Sequence, residues 1–135
     1  MKKVFTLLFS LMLVLGASNL MAQNLEALAE KETREMAAKL RLNEGEYLKL
    51  KQYNLERLEK IAALSNLREQ DERYLDLRLD QIEEEYASML FNTFDKKQYA
   101  AYLNYKEDQP YTYAGVASKN GLAAKASTVA MQAEE

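Results

Sequence analysis

The side chains best suited to acid–base chemistry in this 135-residue chain are three consecutive carboxylates, Glu83-Glu84-Glu85. A pair of carboxylates flanking a glycosidic bond is the working arrangement of a glycosidase. On a helix, however, neighbouring side chains diverge by about 100°. These three therefore do not converge on one substrate and read as a solvated face. The chain has no histidine and no cysteine. That removes the commonest metal ligand, the commonest base at neutral pH, any thiol nucleophile and any disulfide. It contains no glycine-rich phosphate loop, nucleophile elbow or metal-ligand cluster. The expectation is a protein that is not an enzyme and carries no metal or other cofactor.

The most specific pattern is a repeated junction. Leu42-Asn43-Glu44-Gly45-Glu46-Tyr47 and Phe94-Asp95-Lys96-Lys97-Gln98-Tyr99 both read apolar, Asn or Asp, two variable residues, Glu or Gln, Tyr. Asn43 and Asp95 suit the N-cap, where a side-chain oxygen accepts from an otherwise unpaired backbone N–H. Glu46 and Gln98, three residues on, are placed to bond back to the N-cap N–H in a capping box. Leu42 and Phe94 precede the caps and face Tyr47 and Tyr99 one turn in, the spacing of a hydrophobic staple.

Those caps open two of four helices predicted from apolar periodicity, at about residues 25–41, 44–64, 66–92 and 96–107. With a single proline and four glycines, the chain suits long helices rather than a turn-rich β fold. In the first helix Leu25, Leu28, Ala29, Met36 and Leu40 share a face that Glu32 interrupts. In the third, Leu75, Leu79, Ile82, Tyr86, Met89 and Leu90 form the apolar stripe. Pairs such as Glu30/Arg34, Glu35/Lys39 and Glu56/Lys60 sit at i,i+4 and support exposed helix by about 0.2–0.5 kcal/mol each. A third helix of that span would be about 40 Å long. Three shorter helices do not cover it, so a homodimer is expected. The fourth helix must stop before Pro110. Residues 114–135, rich in Ala, Gly, Ser and Thr, read as a flexible tail, with a weak helix over 122–133 as an alternative.

Residues 1–22 read as a signal peptide. Lys2 and Lys3 precede an uncharged apolar run over 4–15, and small residues follow up to Ala22. The run is shorter than the roughly 20 residues a membrane span needs. The mature domain is then 23–113, exported and expected in a bacterial periplasm, with no stable membrane insertion after cleavage. The whole chain carries a formal charge of −3, and losing Lys2 and Lys3 makes it more acidic. Nucleic acid is a poor partner for such a chain, because phosphate contacts need clustered Lys and Arg.

The second helix is apolar on two sides. Leu48, Leu55, Leu58 and Ala62 form one stripe, and Leu50, Tyr53, Ile61 and Leu64 another with Arg57 in its middle. Either both stripes are buried, or Leu50, Tyr53, Arg57, Ile61 and Leu64 provide a client or dimer surface. Of nine tyrosines, Tyr99, Tyr102, Tyr105, Tyr111 and Tyr113 lie close together. Tyr99 and Tyr102 are expected in the core and the later ones to be mobile.

With its leader, four helices and paired junctions, the chain resembles the Spy/CpxP-like family of helical periplasmic stress proteins over residues 25–107. Leu42–Glu46 and Phe94–Gln98 stand where that family has its paired LTxxQ motif. Neither copy has the Thr, and only the second keeps the Gln. The resemblance implies an all-α, thin, curved arrangement of helical hairpins forming an antiparallel homodimer. It implies an ATP-independent chaperone (a holdase) for partly unfolded envelope proteins. The alternatives are a stress-regulatory protein that binds the sensor domain of a membrane kinase, and a structural helical protein without clients. The best-known chaperone of the family is basic, whereas this chain is acidic. Metal-binding relatives use histidines that are absent here.

Overall fold

The computed structural model describes residues 2–67 and 71–122, with side chains described for 21–66 and 71–122. Regular structure among them is entirely helical. It comprises α1 Lys2–Leu40, α2 Glu44–Ala63 continued by a 3₁₀ turn Leu64–Leu67, α3 Glu72–Thr93, α4 Lys96–Glu107 and α5 Tyr113–Lys119. Among the residues whose side chains are described, no helix is long and apolar enough to cross a membrane.

The all-helical class agrees with the sequence, but the count of four helices does not. All of α5 but Tyr113 lies inside the segment read as a tail, and it is folded: Val116 and Ala117 are buried. Thr112 caps it by accepting from Gly115 N–H, and Asp76 Oδ1 on α3 accepts from Tyr113 N–H at 2.8 Å. Gly115 permits a close approach, since an added Cβ would lie 2.9 Å from Pro110 Cβ and 3.1 Å from Thr112 Oγ1. The alternative helix over 122–133 falls, beyond Leu122, outside the described residues.

Two further boundaries differ. α1 does not begin near residue 25 but runs back to Lys2, through a stretch with no proline and only Gly16 to weaken it. α3 starts at Glu72, where Asp71 accepts from Arg73 N–H as its N-cap. Its 22 residues span about 33 Å. The length argument for a second subunit therefore loses most of its force. α1 stops at Arg41, whose φ of 54° is left-handed, and Leu42 N–H returns to the Ala37 carbonyl at 3.3 Å. That is a Schellman closure with arginine where glycine is usual.

α2 is sandwiched, and the core is correspondingly thin and divided. Leu58 and Ala62 pack with Leu25 and Ala29 of α1. Ile61 and Leu64 pack with Leu75, Leu79 and Ile82 of α3 and with Val116 of α5. At the other end, Met36, Leu40, Leu50, Tyr86, Leu90, Phe94, Tyr102 and Tyr105 form the largest cluster, drawn from α1 to α4.

Candidate functional site

Between those apolar clusters lies a polar layer contributed by three helices. Arg57 of α2 is 9% exposed and meets a carboxylate on each side. Its Nη1 is 3.2 Å from Glu32 Oε1 and 3.3 Å from Oε2. Its Nε lies 2.8 Å and its Nη2 2.6 Å from Glu83 Oε1. The guanidinium also sits 5.4 Å from the Tyr86 ring centroid. Burial opposes the charge on Arg57, but Glu32 and Glu83 outweigh it and hold the guanidinium above its ordinary value. Two carboxylates against one guanidinium leave this layer with one unmatched negative charge.

Beside the triad, the fully buried Asn54 and Thr33 are satisfied by one another. Asn54 Nδ2 donates to Thr33 Oγ1 at 2.9 Å, and Thr33 Oγ1 donates to the Ala29 carbonyl at 2.6 Å. The Tyr86 hydroxyl donates to Asn54 Oδ1. A buried amide mid-helix is tolerable only when paired this way. Burial first, and then Glu32, push the Tyr86 phenol well above its ordinary value.

A cavity of about 180 Å³ opens next to this layer, walled by Met36, Arg57, Glu32, Glu83 and the rings of Tyr86, Tyr102 and Tyr105, with Asp80, Lys106 and Tyr111 among its other lining residues. Tyr102 is 3% and Tyr105 5% exposed, and neither hydroxyl has a hydrogen-bond partner. Leaving a buried hydroxyl unpaired costs about 1–3 kcal/mol. Both phenols are pushed up by burial first, and then by Glu83 for Tyr102 and Glu32 for Tyr105. Tyr86 and Tyr102 meet edge to face at 5.9 Å. Both carboxylates on the cavity wall are engaged by the same arginine. Among the described residues no group of three or more His, Cys, Asp or Glu is placed to hold a metal.

The junction residues stand at helix starts. Asn43 accepts from Glu46 N–H at 2.9 Å, and Asn43 N–H donates to Glu46 Oε2 at 3.0 Å. Asp95 accepts from Gln98 N–H at 2.8 Å, and Asp95 N–H donates to Gln98 Oε1 at 3.0 Å. Phe94 and Tyr99 join the largest apolar cluster, as does Leu42. Tyr47 is half-buried. The two junctions also touch, through Gln98 Nε2 and Glu46 Oε2 at 3.0 Å.

The proposed client or dimer surface is instead interior. Leu50 and Ile61 are 0% exposed, and Leu64 is buried with them. Tyr53 is half-buried, its hydroxyl 3.0 Å from Thr93 Oγ1, and Arg57 is in the triad. Both stripes of α2 have neighbours inside the protomer, α1 on one side and α3 on the other, except at Leu48, which stands in solvent. The solvated reading of the Glu run holds for Glu84 and Glu85, the latter paired to Lys60 at 2.8 Å. It fails for Glu83, which faces Arg57. Tyr105, expected to be mobile, is core. Asn54 was missed altogether, and the only sequence signals for the polar layer were charges interrupting apolar stripes at Glu32 and Arg57.

Compared with known proteins, the chain matches no family model, no curated protein and no solved structure.

Proposed function

We propose that the protein is an exported, Spy/CpxP-like holdase of the bacterial periplasm that acts as a homodimer on partly unfolded envelope proteins. It needs no ATP, cofactor or catalytic residue. The observation that carries this reading is the set of large apolar side chains standing in solvent on α3 and α4. On α3 Leu77 is 55% and Phe91 65% exposed, with Tyr74 also exposed, and Leu103 is exposed on α4. Phe91 stacks edge to face on Tyr99 at 5.2 Å, which joins this end of α3 to α4. Charged neighbours such as Glu84 and Glu85 keep this surface from being uniformly apolar, which suits weak, multi-site contacts with unfolded chains. The leader residues Lys2 and Lys3 and the uncharged run behind them support export.

The test is light scattering of two unrelated aggregating clients without ATP, with increasing amounts of the purified protein. Suppression of both near stoichiometric ratios is expected, and Leu77→Ser/Phe91→Ser should lose most of it while keeping its helical circular dichroism. No suppression at large excess would overturn the holdase reading. Tight binding to one folded envelope protein without such protection would put a regulatory role in its place. Sedimentation velocity checks the dimer directly.

A further inference from the structure

The exposed side of α3 carries a pattern that the holdase reading does not use. Tyr74, Leu77, Gln81, Glu84, Ser88 and Phe91 all stand in solvent and follow one another at alternating intervals of three and four residues. That is the a/d spacing of a two-stranded coiled coil, kept over about 26 Å of helix. The seam lies on the side of α3 opposite Leu75, Leu79, Ile82, Tyr86 and Leu90, which face the core.

The seam matches itself when reversed. Laid antiparallel on a second copy, Tyr74 meets Phe91 of that copy, Leu77 meets its Ser88, and Gln81 meets its Glu84. Gln81 Oε1 already accepts from Arg78 Nη1 at 2.7 Å, which leaves the Gln81 amide N–H groups to donate to that carboxylate. Beside the seam, Arg78 comes near Glu85 of the second copy, twice by symmetry. Glu85 meets Lys60 of its own chain at 2.8 Å, an exposed pair that leaves the carboxylate room for a second cation. A parallel pairing does the opposite. It stacks Glu84 on Glu84 inside the seam, and on the flanks it brings Arg73 to Arg78 and Asp80 to Glu85. Charge thus selects the antiparallel partner, and a second copy of the chain supplies it.

We propose that α3 docks antiparallel on α3 of a second copy and that this contact covers the apolar surface offered to clients. The proposal rests on the holdase reading and adds its regulation, because Tyr74, Leu77 and Phe91 cannot meet a client and the second copy at once. The homodimer is then the resting form, and a client is held in the place of the partner. Gln81, Glu84 and Ser88 take half of the seam positions, and polar residues there fix register at a cost in stability. The pairing is therefore weak enough to open.

Sedimentation velocity of the purified protein and two charge variants tests the seam. Arg78→Glu and Glu85→Arg leave its six residues in place but give positions 78 and 85 the same sign of charge. Each should dimerise about tenfold or more weakly than the parent at low salt. Mixed in equal amounts, the two variants should pair with each other at least as well as the parent pairs with itself. A monomeric parent or a mixture that stays monomeric would overturn the proposal. So would single variants that dimerise as well as the parent; tighter dimers would be the mark of a parallel seam. Client light scattering tests the coverage. Arg78→Glu, no longer covered, should suppress aggregation at a several-fold lower concentration than the parent, and equal potency would overturn the competition. If neither protein protects any client, the holdase reading falls, and the seam stands or falls on sedimentation alone.

Discussion

Gln98 donates from Nε2 to Glu46 Oε2 at 3.0 Å, so two helix starts that share a sequence pattern also share a hydrogen bond. Glu46 Oε2 meanwhile accepts from Asn43 N–H, and Gln98 Oε1 accepts from Asp95 N–H. Each side chain thus closes its own capping box and bridges to the other. The starts of α2 and α4 are fixed relative to one another by local interactions plus this single contact.

That arrangement predicts non-additive mutational effects. Glu46→Ala and Gln98→Ala should each destabilise by about 1 kcal/mol through cap loss. The double variant should cost less than their sum by about 0.5–1.5 kcal/mol, because the bridge is lost only once. Gln98→Glu removes the donor and sets a second carboxylate beside Glu46, so it should cost more than Gln98→Ala. Urea titrations of the parent and the four variants measure all these differences.

The buried triad predicts an asymmetric response. Removing Arg57 strands two carboxylates in a largely dry layer, and Arg57→Met should cost about 3–5 kcal/mol. Neutralising both carboxylates as well, in Glu32→Gln/Arg57→Met/Glu83→Gln, should recover a large part of that loss. Lysine cannot span both partners with a planar fork, so Arg57→Lys should still lose more than about 1 kcal/mol. Chemical denaturation curves of the single and triple variants test the order.

How much of this was legible follows from the reach of each interaction. The capping boxes could be read because their partners are three residues apart and obey a fixed local geometry. Arg57 could not be assigned, because its partners lie 25 and 26 residues away on two other helices. A helical wheel shows a charge on an apolar stripe and nothing of what meets it. Glu83 was misread for the same reason, hidden in a run whose other members are exposed. α5 was missed because its small residues give no periodic stripe. The Thr112 cap, the Asp76 bond and the fit of Gly115 on Pro110 hold it in place.

That fit gives a sharp local test, and the C-terminal end of α1 gives another. Gly115→Ala forces a methyl to within 2.9 Å of the Pro110 ring and should cost about 1–3 kcal/mol. Arg41→Gly should instead stabilise by about 0.5–1 kcal/mol. It relieves a left-handed φ of 54°, and the gain is partly offset by a freer unfolded chain. Thermal melts of the two variants should therefore move in opposite directions.

The buried phenols set the alkaline limit of the fold. Tyr86, Tyr102 and Tyr105 are all raised above the ordinary value of 10.0, in each case by burial first. In the unfolded chain they titrate near that ordinary value, so above it the unfolded state binds fewer protons than the native one. Stability then falls as pH rises. The contribution is complete below about pH 10 and is lost as pH climbs toward the raised native values, with a slope of up to about 1.4 kcal/mol per pH unit for each phenol. Phenolate absorbance should therefore rise in two stages. The exposed tyrosines, Tyr111 among them, ionise first without loss of helix. The buried three follow in step with the loss of circular dichroism. In Tyr86→Phe/Tyr102→Phe/Tyr105→Phe the second stage should vanish from the absorbance. A single smooth rise in the parent, completed before any helix is lost, would contradict the burial of these three side chains.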